Sequence, residues 1–238
     1  MEHTLKNKVV LITGSSIGIG RDTSFKFAKE GAKVVVTYYK DRKEGEEVAK
    51  KCTAIGASDI LLVYLNIMDN KSIKDCVRKI IEKFDRIDIL INNAGVVVWK
   101  SLNEQSYDEI ENQIRTNLEG LIKMTKECLP FVKEAIVNIS SGAGQSGFAD
   151  LSVYCVTKFG VRGFTQSMIE ELPHLKIISI NPGETATRMT NFQCIAPERV
   201  AEVVLQTVKG NIKPNSEGDV DVWDYVVSDI SSRAKYKY

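Results

Sequence analysis

The sequence predicts an α/β protein built on a single doubly wound parallel sheet with helices on both faces. Short runs of Val, Ile and Leu alternate with helical patterns along the chain, the order typical of βαβ units. These runs are continuously apolar, as expected for strands buried on both faces. The 238 residues, 43% of them hydrophobic, suffice for one core. We expect a single domain over 1–238, with a polar tail at 230–238 that frays or lies on a neighbouring subunit.

The first half of the chain predicts four strands and three helices. Strands are expected over 8–13, 33–38, 60–65 and 87–91, because each run is rich in β-branched or aliphatic residues. Helical patterns lie between them, over 18–30, 41–51 and 71–84. Gly14 follows the first strand and Gly31 follows the first helix, which agrees with the preference of glycine for turns and helix ends.

The second half continues the alternation. A long helical pattern runs from about 104 towards Pro130, followed by a strand over 135–139 and a helix over 153–172. A strand over 176–180 and a helix over 196–208 come next, and 220–223 predict a seventh strand. Because no linker or repeat interrupts this series, the whole of it is assigned to one sheet.

The composition argues against several classes of partner. With 32 basic and 31 acidic residues the formal net charge is +1, which gives no electrostatic reason to expect nucleic acid or an anionic membrane. The longest apolar runs are strand-sized, far below the roughly 20 residues that span a bilayer. Residues 1–8 contain no signal-peptide run. We therefore expect neither a membrane nor nucleic acid as partner.

The cysteines and histidines indicate neither a disulfide framework nor a metal site. The five cysteines are scattered and form no CxxC pair. The two histidines, His3 and His174, have no spacing from which a zinc site could be assembled. The interpretation is a cytoplasmic protein with reduced thiols and no metal.

A glycine-rich turn joins the first strand to the first helix. It consists of Thr13, Gly14, Ser15, Ser16, Ile17, Gly18, Ile19 and Gly20. Glycines at such a turn allow the backbone to approach a pyrophosphate, and the helix N-terminus supplies free N–H groups and a positive dipole end. Its place in the first βα turn therefore favours dinucleotide binding over a purely structural turn.

Five further motifs follow in the order of a known family. They are Asn92-Asn93-Ala94-Gly95 after the fourth strand, Asn117, Ser141, Tyr154 with Lys158, and Pro182-Gly183 followed by Thr185 and Thr187. Together with the TGxxxGxG turn they resemble the short-chain dehydrogenase/reductase family over most of the chain. The resemblance implies a Rossmann fold, a nicotinamide cofactor and hydride transfer between that cofactor and a carbonyl or secondary alcohol.

Tyr154 and Lys158 have a chemical reading of their own. They lie four residues apart on one predicted helix and so share a face. The expectation is that the ammonium of Lys158, together with an oxidised nicotinamide, lowers the pKa of Tyr154 from about 10 and makes it a general acid and base. By resemblance, Ser141 holds the substrate oxygen, Lys158 also contacts the nicotinamide ribose, and Asn117 anchors a water that relays protons. A plain surface contact between Tyr154 and Lys158 is the competing reading.

The end of the second strand bears on the choice of cofactor. Tyr38 cannot bind two ribose hydroxyls as an acidic residue does, whereas Lys40 and Arg42 can neutralise a 2′-phosphate, so the sequence favours NADP(H) over NAD(H). Ile17 argues the other way, because many NADP-dependent relatives carry a basic residue there. Asp41 is either a displaced ribose-binding acid or the N-cap of the next helix, and we prefer the N-cap. The remaining cofactor contacts implied by the resemblance are Tyr39, Asn66, Ile67, Asn93, Ala94, Gly95, Pro182, Gly183, Thr185 and Thr187.

The residues that would line the substrate pocket are mostly apolar. They are Val97, Val98, Trp99, Gln145, Phe148 and the segment 189–195 that begins at Met189. An apolar cleft favours a ketone or 3-oxoacyl substrate, with a sugar or 3-hydroxy acid dehydrogenase as the alternative and a non-catalytic cofactor-binding regulator as a third reading. The segment between Thr187 and Pro197 is short for a lid, so the cleft is expected to be open. We expect a homodimer or homotetramer, with Phe159, Val161, Phe164 and Met168 serving either that contact or the core.

Overall fold

The strands of the protein form one parallel sheet. The computed structural model describes residues 4–190 and 194–226, so the predicted tail at 230–238 and part of the 189–195 segment lie outside the described residues. The strands are β1 Val9–Ile12, β2 Lys33–Tyr38, β3 Asp59–Tyr64, β4 Ile87–Asn92, β5 Val132–Ile139, β6 Lys176–Asn181 and β7 Asp219–Asp221. Within the described residues they form a seven-stranded sheet in the order β3-β2-β1-β4-β5-β6-β7, with every pairing parallel.

Helices cover both faces of the sheet. They are α1 Gly18–Lys29, α2 Arg42–Ile55, α3 Asn70–Phe84, α4 Tyr107–Ile114, α5 Gly120–Cys128, α6 Ser152–Glu171, α7 Pro197–Lys209 and the short α8 Trp223–Val226. One core joins α1, α2 and α7 to one face of the sheet, and a second core joins α3, α5 and α6 to the other. The predicted doubly wound α/β architecture is therefore confirmed. No helix in the described part of the chain is long and apolar enough to cross a membrane.

The helix expected from about 104 to 130 is not continuous. A 3₁₀ turn at Leu102–Glu104 precedes α4, and a π-helical turn at Arg115–Glu119 separates α4 from α5. The hydrophobic period alone does not reveal a π turn, because the apolar face simply resumes after the inserted residue. This turn carries Asn117, one of the predicted site residues.

The end of the predicted seventh strand is also different. The strand stops at Asp221, whose carboxylate accepts a hydrogen bond from the Trp223 N–H at 3.2 Å, and Trp223 begins α8. The indole lies against Gly183, where an added Cβ would come within 2.0 Å of Trp223 Nε1. Trp223 therefore packs on the loop after β6 instead of extending the edge strand.

The order of the strands places a crevice at the centre of the sheet. The chain moves outward from β1 to β2 and β3, then crosses back to β4 on the other side of β1. The loops after β1 and β4 consequently leave the sheet in opposite directions, and their divergence opens a cleft at the carboxyl ends of these two strands.

Asp88 ties β4 to β1 at the amino end of the same pair. Its carboxylate is 1% exposed, accepts a hydrogen bond from the Val9 N–H at 2.7 Å and pairs with Arg86. The ladder between the strands continues with Val10 opposite Ile89. The carboxylate thus supplies an acceptor at the start of β1 and helps to fix the register of the two strands that open the cleft.

The change Asp88→Ala should lower the free energy of unfolding by about 2–3 kcal/mol, because it leaves the buried Val9 N–H without an acceptor. Asp88→Asn is the matched control, since its amide oxygen still accepts that bond, and we expect a loss of only about 1 kcal/mol. Urea unfolding followed by circular dichroism measures both variants at constant m-value. An Asp88→Ala midpoint equal to that of the wild type would contradict this role.

Candidate active site

The residues predicted for cofactor and substrate come together in one cleft of about 1900 Å³ at the carboxyl ends of the strands. The predicted residues that line it are Gly14, Ser16, Ile17, Gly18, Ile19, Tyr38, Tyr39, Lys40, Asn66, Ile67, Asn93, Ala94, Gly95, Val97, Trp99, Ser141, Gln145, Phe148, Tyr154, Lys158, Pro182, Gly183, Thr185, Thr187 and Met189. Ser15, Gly20, Asn117 and Val98 lie outside this lining. These four residues contact the loops that form the cleft, Gly20 by close packing and the other three by hydrogen bonds.

The glycines of the turn after β1 are required by geometry. Gly14 and Gly18 have φ values of +64° and +58°, which residues with a Cβ rarely adopt. Gly20 is required by close approach, because an added Cβ would come within 2.4 Å of the Gly14 carbonyl oxygen. The turn thus packs closely against the start of α1, and Gly14 and Gly18 line the cleft.

Hydrogen bonds from neighbouring strands hold this turn in place. The Asn93 side-chain amide donates to the carbonyl oxygens of Thr13 at 2.9 Å and Gly14 at 3.1 Å. The Thr13 hydroxyl in turn accepts hydrogen bonds from the N–H groups of Asn93 and Ala94. The turn after β1 and the loop after β4 are therefore locked to each other across the crevice. Sequence reasoning missed Thr13 as a structural residue, although it precedes the first glycine directly.

Ser15 supports the turn from behind. Its buried hydroxyl donates to the Ile12 carbonyl at 2.9 Å and accepts from the Thr37 N–H at 2.7 Å. The Thr37 hydroxyl accepts from the Gly14 N–H at 2.9 Å. Thr37 is a second residue that sequence analysis did not single out, and only the β1–β2 pairing shows why a hydroxyl is needed there.

The N-terminus of α1 has the character of an anion site. Its N-cap residue is Ile17, whose side chain has no acceptor and makes no capping hydrogen bond. The first-turn N–H groups therefore lack the side-chain oxygen that usually satisfies them, and they carry the positive end of the helix dipole. Because Gly18 and Ile19 line the cleft, this end of the helix suits the pyrophosphate of a dinucleotide.

Ser141, Tyr154 and Lys158 meet at the inner end of the cleft. Ser141 follows β5, and its hydroxyl accepts a hydrogen bond from the Ala143 N–H at 3.1 Å. Tyr154 and Lys158 lie one turn apart on α6, with the Lys158 ammonium 5.6 Å from the centre of the Tyr154 ring. Lys158 is 5% exposed and donates to the Ile139 carbonyl at 2.8 Å. The predicted sharing of one helix face is thus present, and the surface-contact reading of the pair does not fit a buried lysine.

Burial dominates the acid–base properties of this pair. Withdrawal from water raises the pKa of Tyr154 to about 12, although a hydrogen bond with the Ser141 hydroxyl acts to lower it. Burial also lowers the pKa of Lys158 to about 8. In the protein without cofactor burial outweighs the hydrogen bond with Ser141, and a lowering of the Tyr154 pKa by the ammonium together with an oxidised nicotinamide stays a prediction. The tyrosine holds its proton at neutral pH and is placed to act as an acid.

Asn117 anchors the loop after β4. Its amide oxygen accepts from the Val96 N–H at 2.7 Å, and its amide nitrogen donates to the Val96 carbonyl at 2.8 Å and to the Thr157 hydroxyl at 3.2 Å. Thr157 lies next to Lys158, so Asn117 ties the loop of Gly95 to α6. This is a positioning role, and the water relay expected of Asn117 stays a prediction.

The outer end of the cleft is formed by β2 and α2. Tyr38 and Tyr39 both pack against the ring of Tyr64, with centroid distances of 5.9 and 6.1 Å. Lys40 lines the cleft with its ammonium 5.6 Å from the centre of the Tyr39 ring. Arg42, the second predicted phosphate ligand, is not in the lining and pairs with Glu46 of the same helix at 2.8 Å.

Two polar residues at this end have partners that the sequence did not reveal. Asp41 is the N-cap residue of α2, as preferred from the sequence, but its side chain makes no capping hydrogen bond. Its carboxylate pairs instead with Arg188 at 3.2 Å, 147 residues along the chain. Asn66 uses its amide oxygen to accept from the Met68 N–H at 3.1 Å, which shapes the loop after β3.

The segment after β6 contacts both walls of the cleft. An added Cβ on Gly18 would lie 3.3 Å from the Thr187 Cγ2, so this segment touches the glycine-rich turn. Arg188 reaches α2, and the Trp99 indole N–H donates to the Met189 carbonyl at 3.2 Å. The described residues of this segment thus contact both walls of the cleft, and the expected openness of the cleft stays a prediction.

The substrate side of the cleft is apolar near the tyrosine. Val97, Phe148 and Tyr154 pack against a small buried cluster of Ala143, Leu151 and Cys155. Val98 faces away from the cleft lining, and its N–H donates to the Gln113 side chain at 3.2 Å. Val98 thus supports the pocket wall instead of lining it.

Comparison with known proteins agrees with this site. The sequence profile of the family described as short chain dehydrogenase matches residues 8–194. The 3-oxoacyl-[acyl-carrier-protein] reductase FabG of Thermotoga maritima is 32% identical over 96% of this chain and 93% of that protein. An NADP-dependent 3-hydroxy acid dehydrogenase of Schizosaccharomyces pombe is 30% identical over 84% of this chain and 86% of that protein.

Solved structures show the same fold. The crystal structure of a short chain dehydrogenase from Burkholderia cenocepacia in complex with NADP has a TM-score of 0.85, with 24% identity, and covers 92% of this chain and 97% of that chain. The family profile spans the glycine-rich turn, Ser141, Tyr154 and Lys158, which meet in one cleft of this protein. The chain is therefore a member of the short-chain dehydrogenase/reductase family and an oxidoreductase that acts on a carbonyl or its alcohol.

Proposed function

We propose that this protein is an NADP(H)-dependent reductase of ketones or 3-oxoacyl thioesters. The observation that carries the proposal is the meeting of Ser141, Tyr154 and Lys158 at the inner end of a cleft whose other end fits a dinucleotide. The relatives named as a 3-oxoacyl reductase and a 3-hydroxy acid dehydrogenase act on substrates of related chemistry. A non-catalytic regulator would have no need to retain the Tyr154–Lys158 pair.

The cleft has the donors that such a cofactor needs. The free N–H groups at the start of α1 suit its pyrophosphate, and Asn66 lines the cleft where the side-chain N–H groups can donate to adenine. When bound, the nicotinamide supplies the hydride. Lys40 in the lining and the absence of an acid at Tyr38 support NADP(H), as do the relatives named for NADP.

The protein itself supplies the proton. Tyr154, with its pKa raised to about 12, holds a proton at its hydroxyl through the neutral range and can donate it to a carbonyl oxygen as the carbonyl carbon is reduced. The Ser141 hydroxyl, which lines the same end of the cleft, can hold the same oxygen in place. The Lys158 ammonium, 5.6 Å from the ring centre, stabilises the tyrosinate left after the transfer.

The charges of the cleft favour a neutral substrate. Among the described lining residues, the cationic side chains are Arg21, Lys40, Lys51, Lys158 and Arg188. Of these, Lys158 is the one that lies beside Tyr154, whereas Arg188 pairs with Asp41 at the outer end. The acids Glu184 of the loop after β6, Asp221 of β7 and Asp224 of α8 also line the cleft. Since a free carboxylate has no cationic partner near Tyr154 other than Lys158, a ketone or thioester fits better than a free 3-oxo acid or its 3-hydroxy form.

An exposed apolar face supports a homodimer or homotetramer. Val156 and Phe159 of α6 are 62% and 45% exposed, and Ile114 and Ile122 of the neighbouring helices are also exposed. Val161 and Met168 are buried in the monomer, and Phe164 packs on its core, so of the four residues considered Phe159 is the one available for contact. The free cysteines support a cytoplasmic location.

A substrate panel tests the proposed class directly. With NADPH, an acetoacetyl thioester should be reduced with a kcat/KM at least about tenfold above that of free acetoacetate, because only the free acid brings an unpaired carboxylate into the pocket. Absorbance at 340 nm measures both. A preference for the free acid would favour the 3-hydroxy acid dehydrogenase alternative, and oxidation of aldoses alone would favour the sugar dehydrogenase.

Tyr154→Phe should lower kcat by about 10²–10⁴-fold, because it removes the proton donor and leaves the cleft shape unchanged. Binding of NADPH, followed by its fluorescence, should stay within about twofold of wild type. Tyr107→Phe is the matched control, since Tyr107 is 91% exposed and far from the cleft lining. Substantial turnover by Tyr154→Phe would exclude Tyr154 as the acid.

The pH dependence of reduction should reflect Lys158. Its pKa of about 8 means that the ammonium is present at pH 7 and lost as the pH rises through 8, whereas Tyr154 keeps its proton. The kcat/KM for ketone reduction, which reports on the free enzyme, should therefore be level between pH 6 and 7.5 and fall by about tenfold per unit above 8. An arginine stays charged over this whole pH range. The kcat/KM that remains in the Lys158→Arg variant should therefore show no such fall above pH 8. A level profile to pH 10 in the wild type would contradict the assignment.

A further inference from the structure

Arg188 joins two parts of the cleft that are distant in sequence. It belongs to the segment after β6, and its guanidinium lies 3.2 Å from the Asp41 carboxylate and 3.2 Å from the Glu44 carboxylate at the start of α2. All three side chains line the outer end of the cleft, as Lys40 does. The arginine therefore meets two acids at the end of β2, where dinucleotide folds hold the adenosine ribose.

Stability does not account for this arrangement. The side chains of Arg188, Asp41 and Glu44 are 55%, 39% and 35% exposed, and exposed ion pairs add little to the free energy of folding. Neither acid caps the helix with its side chain, since α2 has no side-chain cap hydrogen bond. The pairing instead changes the charge that the outer end of the cleft presents to a ligand.

The two acids would otherwise select against a phosphorylated ribose. A carboxylate after the second strand of a dinucleotide fold accepts hydrogen bonds from ribose hydroxyls and repels a 2′-phosphate. Asp41 and Glu44 together place two negative charges beside the ammonium of Lys40, their neighbour in the sequence. With Arg188 paired to both, the four side chains sum to zero, and Lys40 can act on a phosphate.

We propose that Arg188 is a specificity-determining residue that permits a 2′-phosphorylated dinucleotide, by neutralising Asp41 and Glu44. This inference rests on the proposed use of a nicotinamide dinucleotide and adds the residue that sets the choice between its two forms. The choice of cofactor is thereby assigned in part to the segment after β6, which is distant in sequence from the glycine-rich turn and the end of β2.

Arg188→Gln should weaken NADPH binding by about five- to tenfold, because the outer end then carries one more negative charge close to the phosphate. NADH binding should stay within about twofold, since NADH has no phosphate there. The triple change Arg188→Gln, Asp41→Asn, Glu44→Gln should restore NADPH binding to near the wild-type value. Cofactor fluorescence titrations without substrate measure all of these, so the result does not depend on turnover.

Arg78→Gln is the matched control. Arg78 is an exposed arginine on α3 that also pairs with two acids, Asp75 and Glu82, but it lies outside the cleft lining. This variant makes the same change in net charge and should leave both cofactors bound as in the wild type. Thermal unfolding of every variant confirms that the fold is retained.

Three results would overturn the inference. Equal weakening of NADPH and NADH by Arg188→Gln would mean that the segment retains the shared part of the cofactor and does not choose between the two forms. Unchanged NADPH binding would remove any role for the arginine, and a triple variant as weak as Arg188→Gln would show that the acids are not the cause. Selective NADPH binding by an enzyme that fails the substrate panel would leave this inference intact while refuting the proposed substrate class.

Discussion

The site depends on the hydrogen bonds that lock the turn after β1 to the loop after β4. The Asn93 amide binds the Thr13 and Gly14 carbonyls, and the Thr13 hydroxyl receives the N–H groups of Asn93 and Ala94. These are the two loops that diverge where the strand order reverses, and unsupported loops at such a point would be free to move apart. Because they are bonded to each other, the helix N-terminus, Gly95 and the catalytic helix keep fixed positions around one cleft.

The catalytic pair is placed at some cost to the fold. Burial lowers the pKa of Lys158 from 10.5 to about 8, so at neutral pH its buried ammonium opposes folding. This opposition fades as the pH rises from about 8 to 10.5, because over that range the folded protein has released the lysine proton while the unfolded chain still holds it. The buried Lys158 ammonium is held by a hydrogen bond to the Ile139 carbonyl and lies 5.6 Å from the centre of the Tyr154 ring.

Much of the fold and of the site could be predicted from local sequence. The bounds of β2 agree with the prediction to the residue, and the glycine-rich turn, Ser141 and the Tyr154–Lys158 pair lie in one cleft as expected. The π turn at Asn117 and the end of β7 at Asp221 could not be predicted, because each depends on a side chain bonding outside its own element. The raised pKa of Tyr154 in the protein alone was not foreseen for a similar reason, since the extent of burial is a property of the assembled cleft.

The sequence by itself determined the alternation of strands and helices, the position of the glycine turn and the shared helix face of Tyr154 and Lys158, because hydrophobic period, turn preference and helical spacing act over a few neighbouring residues. Only the tertiary structure decided which polar groups serve the ligand and which hold the cleft together. Ser15 and Asn117 are used by backbone groups of other elements, and Asp41 meets Arg188 from 147 residues away. Such pairings arise when the folded chain brings distant segments to the same edge of the sheet, and no local pattern records them.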